Sequence, residues 1–457
     1  MKDFLEINTN EVLNLTREFC EYPCGVIAEA NEMLLNRIEK EIPLQIFRFP
    51  SGQTYNGWTV PEHWEVKTAS IFLDGEEVFD ATRNPLGVAW YSNSFSGELS
   101  YEELLKHLVT KPELPEAYVY HCMWQYRPWE ADWALSIPFE KLQGLPRDRT
   151  YIVDLKTTKS PGEMLVGEFF HQGESEECIV LNCHTCHPKM ANDAFCGLAI
   201  LVSLMKALRG KTTRYSYKLV IGPEHLGTVF YLRDCSLRDV EKMVSGIYAE
   251  MPGTNGPIRV ASTFRGNQKI DLAFRNACRE YSTEALHVPW RHGAGNDETV
   301  WESPGNEVPF VEVTRCEEPD HPYREYHTDL DNADLMDPNQ VKEFQKILCK
   351  VIEILEEDSV PKRKFNGLIC LSNPDYDLYF ERYDPAVEKD LDEDSEKWGR
   401  LLDSLFRYLD GEMSVLEIAE LHELPFDKLL EYLKKFEEKE LLEFTPAKIE
   451  RKSPKRF

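Results

Sequence analysis

Apolar residues recur with different periods in different parts of this chain, and each period predicts a different kind of structure. Between residues 10 and 40, leucines and isoleucines return at helical spacing, which predicts one or two helices. From about Phe47 to Pro138, short alternating runs with many aromatic residues are punctuated by Gly, Pro and Asn. This second pattern predicts a small β-rich unit.

The region from about Tyr151 to Glu357 alternates compact apolar runs with helical segments. The runs ECIVLNC, YKLVIG and VSGIYAEM are each followed by a polar turn and then by a helical pattern such as GLAILVSLMKALRG. This order predicts an α/β fold with a mostly parallel central sheet flanked by helices. We expect the N-terminal helices to pack on the same domain.

The last part of the chain has a second helical series. Ser414 and Glu417 form a capping-box pattern ahead of VLEIAELHEL, and a break at Pro425 leads into FDKLLEYLKKFEEKELLEF. Helix, turn, helix and a final strand-like run resemble a winged-helix unit. We therefore expect three domains: an α/β domain over residues 1–46 and 139–365, an inserted β-rich domain over residues 47–138, and a winged-helix-like domain over residues 370–457.

The charge of the chain excludes one class of partner. It carries 80 Asp and Glu residues against 52 Lys and Arg residues, for a formal net charge of −28. Because phosphate binding needs concentrated positive charge, we expect no nucleic-acid partner. This holds for the winged-helix-like unit too, since its last helix alternates Lys with Glu.

The first residues and the cysteines predict a cytoplasmic protein without a membrane partner. The segment MKDFLEINTNEVLNL is acidic where a signal peptide would be basic and then apolar, and no run of about 18 or more apolar residues occurs. The twelve cysteines are scattered along a long chain, which is typical of reduced thiols in the cytosol. Assembly into a homo-oligomer stays open.

The densest cluster of chemically active residues follows the run ECIVLN. The segment CHTCHPKMANDAFCG contains His184, His187 and Asp193, whose imidazole and carboxylate groups are suitable ligands for Zn²⁺. A structural Cys/His zinc site is the alternative, but the segment lacks the second half that such a site needs.

Polar residues also follow the next two strand-like runs. Glu224 and His225 lie in GPEHLGT, and Glu250 lies in IYAEMPG. Because the carboxyl ends of parallel strands meet at one edge of a sheet, we expect these groups to lie close to the first cluster. Downstream, His327 in REYHTDLDN is a weak signal alone and gains weight only beside the other positions.

In chain order, these segments resemble the zinc aminopeptidase family M28, and more closely its bacterial aminopeptidase-like branch with a DUF4910 domain. That family has an Asp-Asn-x-x-Gly that bridges two metals, a Glu-Glu-x-Gly that supplies a base and a ligand, an Asp or Glu before Met, and a closing Tyr-x-His-Thr. This chain has NDAFCG, PEHLG, AEMPG and YREYHT in the same order, and the resemblance covers roughly residues 1 to 360.

The resemblance implies a role for each matching position. It places the bridging carboxylate at Asp193, the general base at Glu224, and ligands of the two metals at Glu250 and His327. The family's second glutamate falls on His225, which implies one tightly held zinc and a second, weaker metal position.

A second departure leaves one ligand undecided. The family's His-x-Asp falls on His184 and Cys186, so the carboxylate that normally orients the histidine is missing. The ligand is then either His184, which lies directly at the strand end, or His187, with His184 supporting it.

Residues farther along are candidates for substrate binding. Asp297 and Glu298 in HGAGNDETVWES could bind the free ammonium group of a substrate, although a solvated acidic loop is the simpler explanation. His292 lies in the same Gly-rich loop, and Tyr326 directly precedes His327.

The resemblance implies an aminopeptidase that releases N-terminal residues from peptides by metal-activated water and a glutamate base. Two other functions stay open. One is an amidase or N-deacylase acting on a sugar or polysaccharide precursor, since the DUF4910 branch is associated by name with polysaccharide biosynthesis. The other is a non-catalytic regulatory or scaffold protein, which the departures at Cys186 and His225 would suit.

Overall fold

The computed structural model describes residues 5–121, 123–379 and 393–451. The strands within these ranges are β1 (Gln45–Pro50), β2 (Thr54–Tyr55), β3 (Trp58–Thr59), β4 (His63–Leu73), β5 (Glu76–Asp80), β6 (Phe95–Ser100), β7 (Leu108–Val109), β8 (Leu135–Ser136), β9 (Thr150–Ser160), β10 (Glu163–His171), β11 (Cys178–His184), β12 (Ser216–Gly222), β13 (Met243–Ala249), β14 (Ile258–Ala261), β15 (Leu286–Val288), β16 (Phe310–Arg315), β17 (Ser359–Arg363) and β18 (Leu442–Pro446).

The α-helices are α1 (Thr9–Phe19), α2 (Glu29–Ile38), α3 (Tyr101–Leu105), α4 (Phe139–Gln143), α5 (Cys196–Leu208), α6 (Leu226–Asp234), α7 (Leu237–Lys242), α8 (Lys269–Tyr281), α9 (Glu298–Trp301), α10 (Pro338–Glu357), α11 (Glu393–Tyr408), α12 (Val415–Leu421) and α13 (Phe426–Glu438). A π-helical turn, Ala191–Phe195, leads directly into α5.

The central sheet has eight strands in the order β1-β10-β12-β11-β13-β16-β14-β15. Its middle strands, β12, β11, β13 and β16, are parallel, and β11 and β13 are buried along their whole length because helices cover both faces. This confirms the predicted α/β fold with a large central sheet flanked by helices. The sheet is antiparallel where β1 and β10 extend one side and where β14 joins β16.

The N-terminal helices belong to this domain. Val12 and Phe19 of α1 are fully buried in the same apolar core as α5 and α10. The ring of Phe19 meets the ring of Phe195 edge to face, with centroids 6.4 Å apart. Helix α1 is therefore fixed against the segment that leads into α5.

One stretch of the described residues, Ala191–Leu208, is long and apolar enough to cross a membrane by length and composition alone. In the fold, 89% of that stretch is buried, and it forms the centre of the apolar core. A core helix of a water-soluble fold passes the same test.

A second sheet, in the order β5-β4-β9-β6, lies in the inserted part of the chain and has its own apolar core. One of its two long strands, β9, lies beyond residue 138, where the predicted insertion ends. In turn β1, inside the predicted insertion, is an edge strand of the central sheet. All these strands carry similar alternating patterns, so the sequence alone did not assign them to one sheet or the other.

The C-terminal unit consists of α11, α12, α13 and β18, which pairs antiparallel with β17. The predicted capping box is present, because Ser414 and Glu417 each accept the other's backbone N–H. Asn276 of α8 donates to the carbonyl of Leu424 and accepts from the N–H of Phe426. The unit therefore shares the core of the α/β domain, while its winged-helix description stays a prediction.

Candidate metal centre

The predicted ligands follow three neighbouring parallel strands at the same level. His184 ends β11 and pairs in register with Gly222, the last residue of β12. Glu224 follows two residues later, and Glu250 comes directly after β13. Parallel pairing thus brings a histidine and two carboxylates to one edge of the sheet.

The first group of three ligand atoms comes from His184, Asp193 and Glu250. The Nε2 atom of His184 lies 3.3 Å from Oδ1 of Asp193 and 3.2 Å from Oε2 of Glu250. All three side chains are buried. We call this group the buried triad.

The second group, the outer triad, comes from His187, Asp193 and His327. Oδ2 of Asp193 lies 2.9 Å from Nε2 of His187 and 3.6 Å from Nε2 of His327. Each oxygen of Asp193 therefore faces a different triad. The sequence left His184 and His187 as alternatives, and the structure places both beside Asp193, one in each triad.

Asp193 is held by a carboxylate that the sequence analysis did not single out. Asp331 accepts hydrogen bonds from the backbone N–H groups of Asn192, at 2.8 Å, and Asp193, at 3.1 Å. The hydroxyl of Tyr323 donates to the same carboxylate at 2.7 Å. Asp193 also lies in the π-helical turn, a wide turn that is frequent at functional sites.

Cys186 connects the buried triad to Glu224. Its Sγ atom lies 3.2 Å from Nδ1 of His184 and 3.8 Å from Oε2 of Glu224. Burial raises the pKa of the Cys186 thiol to about 12, so the thiol is protonated at neutral pH. Glu224 is half-buried and open to solvent beside the triad.

His225 belongs to neither triad among the described residues. Its Nε2 atom lies 3.2 Å from the backbone oxygen of Asn296. Its backbone has φ 53° and ψ −59°, and the N–H of Leu226 reaches the carbonyl of Glu224 at 2.5 Å. This is a γ-turn with positive φ, a rare form whose strain costs about 1–3 kcal/mol in a residue other than glycine.

The charges in the centre are unevenly balanced. Although burial opposes it, His184 and His187 hold the pKa of Asp193 well below its usual range. Burial raises the pKa of Glu250 to about 8, which means that its negative charge lacks sufficient compensation. Burial also lowers the pKa of His327 to about 3, so this imidazole is neutral, as a metal ligand must be.

These residues fit a bound cation. Within each triad the ligand atoms lie within 4.8 Å of one another. Oε1 of Glu250 is buried and has no hydrogen-bond partner among the described residues. A buried, unpartnered carboxylate oxygen is costly, and a metal ion would compensate it.

The four candidate substrate-binding residues differ in their burial and in their contacts. Asp297 is buried and accepts the N–H of His225 at 2.5 Å, and Glu298 is buried and forms an ion pair with Arg291 at 2.7 Å. His292 is exposed in its loop, and the ring of Tyr326 stacks on His327 with centroids 3.9 Å apart. Their role in binding a substrate stays a prediction.

The inserted part of the chain forms one wall of the outer triad. The backbone N–H of Tyr120 donates to the carbonyl of His327 at 2.8 Å, and Val119 forms a β-bridge with Thr328. The ring of Tyr120 stacks on that of His187, with centroids 3.9 Å apart. The position of the insertion ahead of the first strand of the α/β domain, and its many aromatic residues, predict that it covers the metal cleft. Nothing in the sequence singles out Tyr120, because an aromatic residue in a β-rich segment is usually a core residue.

The fold defines a class, the α/β proteins with an aminopeptidase-like fold. A zinc aminopeptidase from Bacillus subtilis has a similar structure, with a TM-score of 0.56 and 12% identity over 77% of this chain and 95% of that one. A peptidase M28 precursor from Shewanella amazonensis is similar with a TM-score of 0.54 and 11% identity, over 76% of this chain and 92% of that one.

The chain belongs to the DUF4910 family, a domain of unknown function, whose profile matches residues 15–358. A Clostridium acetobutylicum protein is 29% identical over 355 residues, which cover 76% of this chain and 78% of that protein; its name refers to polysaccharide biosynthesis and to an aminopeptidase-like domain. The structure of a protein from the same organism, described as a peptidase, has a TM-score of 0.78 and 25% identity and covers 96% of both chains.

Proposed function

We propose that this protein is a metal-dependent hydrolase of the aminopeptidase type that cleaves an amide bond at the N-terminus of a peptide. The observation that carries the proposal is that Asp193 directs one oxygen to each of two triads while Glu224 lies beside them. Two sets of ligands that share a carboxylate, with a free carboxylate next to them, are typical of metal-assisted hydrolysis.

Zinc is the metal that the ligands favour. Imidazole nitrogens and carboxylate oxygens, with no exposed thiolate, are common zinc ligands in catalytic sites. The residues that would hold the metals are His184, Asp193 and Glu250 in the buried triad and His187, Asp193 and His327 in the outer triad. When bound, zinc would polarise the scissile carbonyl and lower the pKa of water at the site.

Glu224 is the general base in this proposal. Its Oε2 atom faces the thiol of Cys186, which leaves Oε1 to take a proton from the attacking water and to deliver it to the nitrogen of the leaving amine. Cys186 at the same time faces Nδ1 of His184, so the base and a ligand are oriented by one side chain. This thiol stands at the position where the His-x-Asp pattern of the M28 family, which the sequence resembles, has an orienting carboxylate.

The first test is the metal content of the purified protein. Because the buried triad is fully enclosed while the side chain of His327 is 33% exposed, we expect about one zinc per chain after dialysis and a second on titration. Elemental analysis of protein that has never met a chelator measures the first, and calorimetric titration measures the second. A complete absence of bound metal in both experiments would overturn the proposal.

A second test concerns Tyr120, whose ring supports His187. Replacing it in Tyr120→Leu removes the stacked ring, and loss of such a supporting contact lowers metal affinity about 10-fold or more. Tyr120→Phe, the matched control, keeps the ring. Competition with a zinc-binding dye should show weaker binding of the second zinc in the leucine variant alone. Equal affinities in the two variants would show that the stacking does not support the ligand.

The second candidate function is hydrolysis of an N-acyl group on a sugar, and the name of the Clostridium acetobutylicum relative favours it. The same side chains could catalyse both reactions, because hydrolysis of a sugar amide and of a peptide amide needs the same base and the same polarisation of the carbonyl. A parallel screen of aminoacyl-arylamides and N-acetylated sugars separates the two. Turnover of the arylamides supports the aminopeptidase, and turnover of the sugars alone replaces it with the N-deacylase.

A further inference from the structure

The turn that presents Glu224 is strained, and its conformation needs an external support. A positive φ at His225 is unfavourable for a residue with a side chain, and such backbone persists only where neighbouring groups fix it. The turn also begins α6, so the direction of the Glu224 side chain depends on how His225 is held. The groups that fix the backbone of His225 therefore influence the position of Glu224, the proposed base.

Asp297 is the principal support. One of its oxygens, Oδ1, accepts the backbone N–H of His225 at 2.5 Å, and the other, Oδ2, accepts the hydroxyl of Thr228 in the first turn of α6. Asp297 is 1% exposed and is itself fixed at the start of α9, where its carbonyl accepts from Val300 at 2.8 Å and Trp301 at 3.1 Å. The start of α9 thus holds the central residue of the strained turn and the first turn of α6, which follows it.

The metal triads do not account for Asp297, because none of them includes it. Its carboxylate is buried and both oxygens bond to the chain, so contacts within the fold account for its position without a substrate. A buried carboxylate is costly unless hydrogen bonds compensate its burial. The hydrogen bonds that Asp297 accepts hold the turn between Glu224 and Leu226.

We infer that Asp297 is a positioning residue, which holds the strained turn so that Glu224 keeps its place beside the buried triad. The inference rests on the proposed function, since it assumes that Glu224 is the base. It requires hydrogen-bond acceptance by Asp297 and does not require its negative charge. A merely structural role, tying α6 to α9, would change stability without a specific effect on turnover.

Three variants separate these roles. Asp297→Ala removes both acceptors, and displacement of a base by about 1 Å typically lowers kcat about 100-fold, with KM changed only a few-fold. Asp297→Asn keeps an acceptor for the N–H of His225 and should retain most of the turnover. Thr299→Val, two residues farther along the same segment, is the control, because the Thr299 hydroxyl has no hydrogen-bond partner among the described residues.

A fourth variant tests the strain directly. Glycine adopts positive φ without cost, so His225→Gly combined with Asp297→Ala should recover at least about 10-fold of the lost kcat. Zinc content should stay the same in all four variants. If Asp297→Ala keeps wild-type kcat, or if it loses turnover that neither asparagine nor the glycine combination restores, the inference is overturned.

Hydrogen–deuterium exchange supplies a readout that needs no substrate. Asp297→Ala should speed the exchange of the amides between 224 and 228 while leaving the amides of β12 unchanged. Unchanged exchange in the turn would overturn the inference. A different outcome would overturn the proposed function alone. In that case the wild-type protein has neither zinc nor turnover, but Asp297→Ala still speeds exchange in the turn, so the support of the turn by Asp297 stands.

Discussion

Replacing the proposed base in Glu224→Gln should nearly abolish turnover while the protein stays folded and keeps its zinc. The amide has almost the same shape as the carboxylate but cannot accept a proton, and losing a general base typically costs about 10²–10⁴ in rate. Glu224 is half-buried and belongs to neither Asp193 triad, so zinc content should not change. Steady-state kinetics on the substrate found in the screen, with elemental analysis of the same samples, measures both.

The matched control is Glu318→Gln, which makes the same chemical change on an exposed loop. It should leave kcat and zinc content unchanged. If Glu224→Gln kept wild-type activity, another residue would be the base. Ligand atoms of His184, Cys186 and Glu224 also lie within 4.8 Å of one another and form a third possible metal group. If Glu224→Gln lost zinc as well as activity, Glu224 would act as a ligand in that third group.

The second large effect is expected from Asp193→Asn, which should weaken both metal positions at once. Each carboxylate oxygen of Asp193 serves a different triad, so removing its charge removes a shared ligand. Loss of an outer partner of a metal ligand typically costs 10–100-fold in affinity, and loss of a shared ligand should cost more than about 100-fold at each position. Zinc titration of the metal-free variant measures both affinities.

Two further variants test whether the effect of Asp193→Asn arises from its position between the two triads. His327→Ala should weaken only the second zinc, because His327 contributes to the outer triad alone. Asp320→Asn, on an exposed loop, is the matched control and should change neither affinity. If Asp193→Asn affected one zinc and left the other intact, the proposed sharing of Asp193 would be wrong.

The sequence predicted the parts of the fold whose cause is local. Buried parallel strands read as continuous apolar runs, and ECIVLNC and VSGIYAEM became β11 and β13 for that reason. The antiparallel sides of the sheet were not predicted, because the local sequence of β1 and β10 does not indicate which strand each will pair with or in which direction. Which sheet such a strand joins is decided by pairing with residues far away in the chain.

The same distinction applies to the candidate centre. His184, Asp193 and Glu250 could be found because each follows a strand, and the strand order makes them neighbours. Asp331 and Tyr120 could not be found, since their roles are hydrogen bonds and ring contacts with residues that are distant in sequence. The presence of both His184 and His187 beside Asp193 depended on the wide turn at Ala191–Phe195, which no residue spacing announces.

The contact between the inserted segment and the outer triad has a consequence for how the protein is made. The N–H of Tyr118 donates to the carboxylate of Asp329, a residue 211 positions later, so this wall cannot close until most of the chain has been synthesised. Contacts of such high sequence separation form late and slow folding. The ligands of the buried triad all lie between His184 and Glu250, but Asp193 is held by Asp331, which is synthesised after them. Both candidate metal positions therefore reach their final geometry only after the segment that contains Tyr323 and Asp331 has joined the fold.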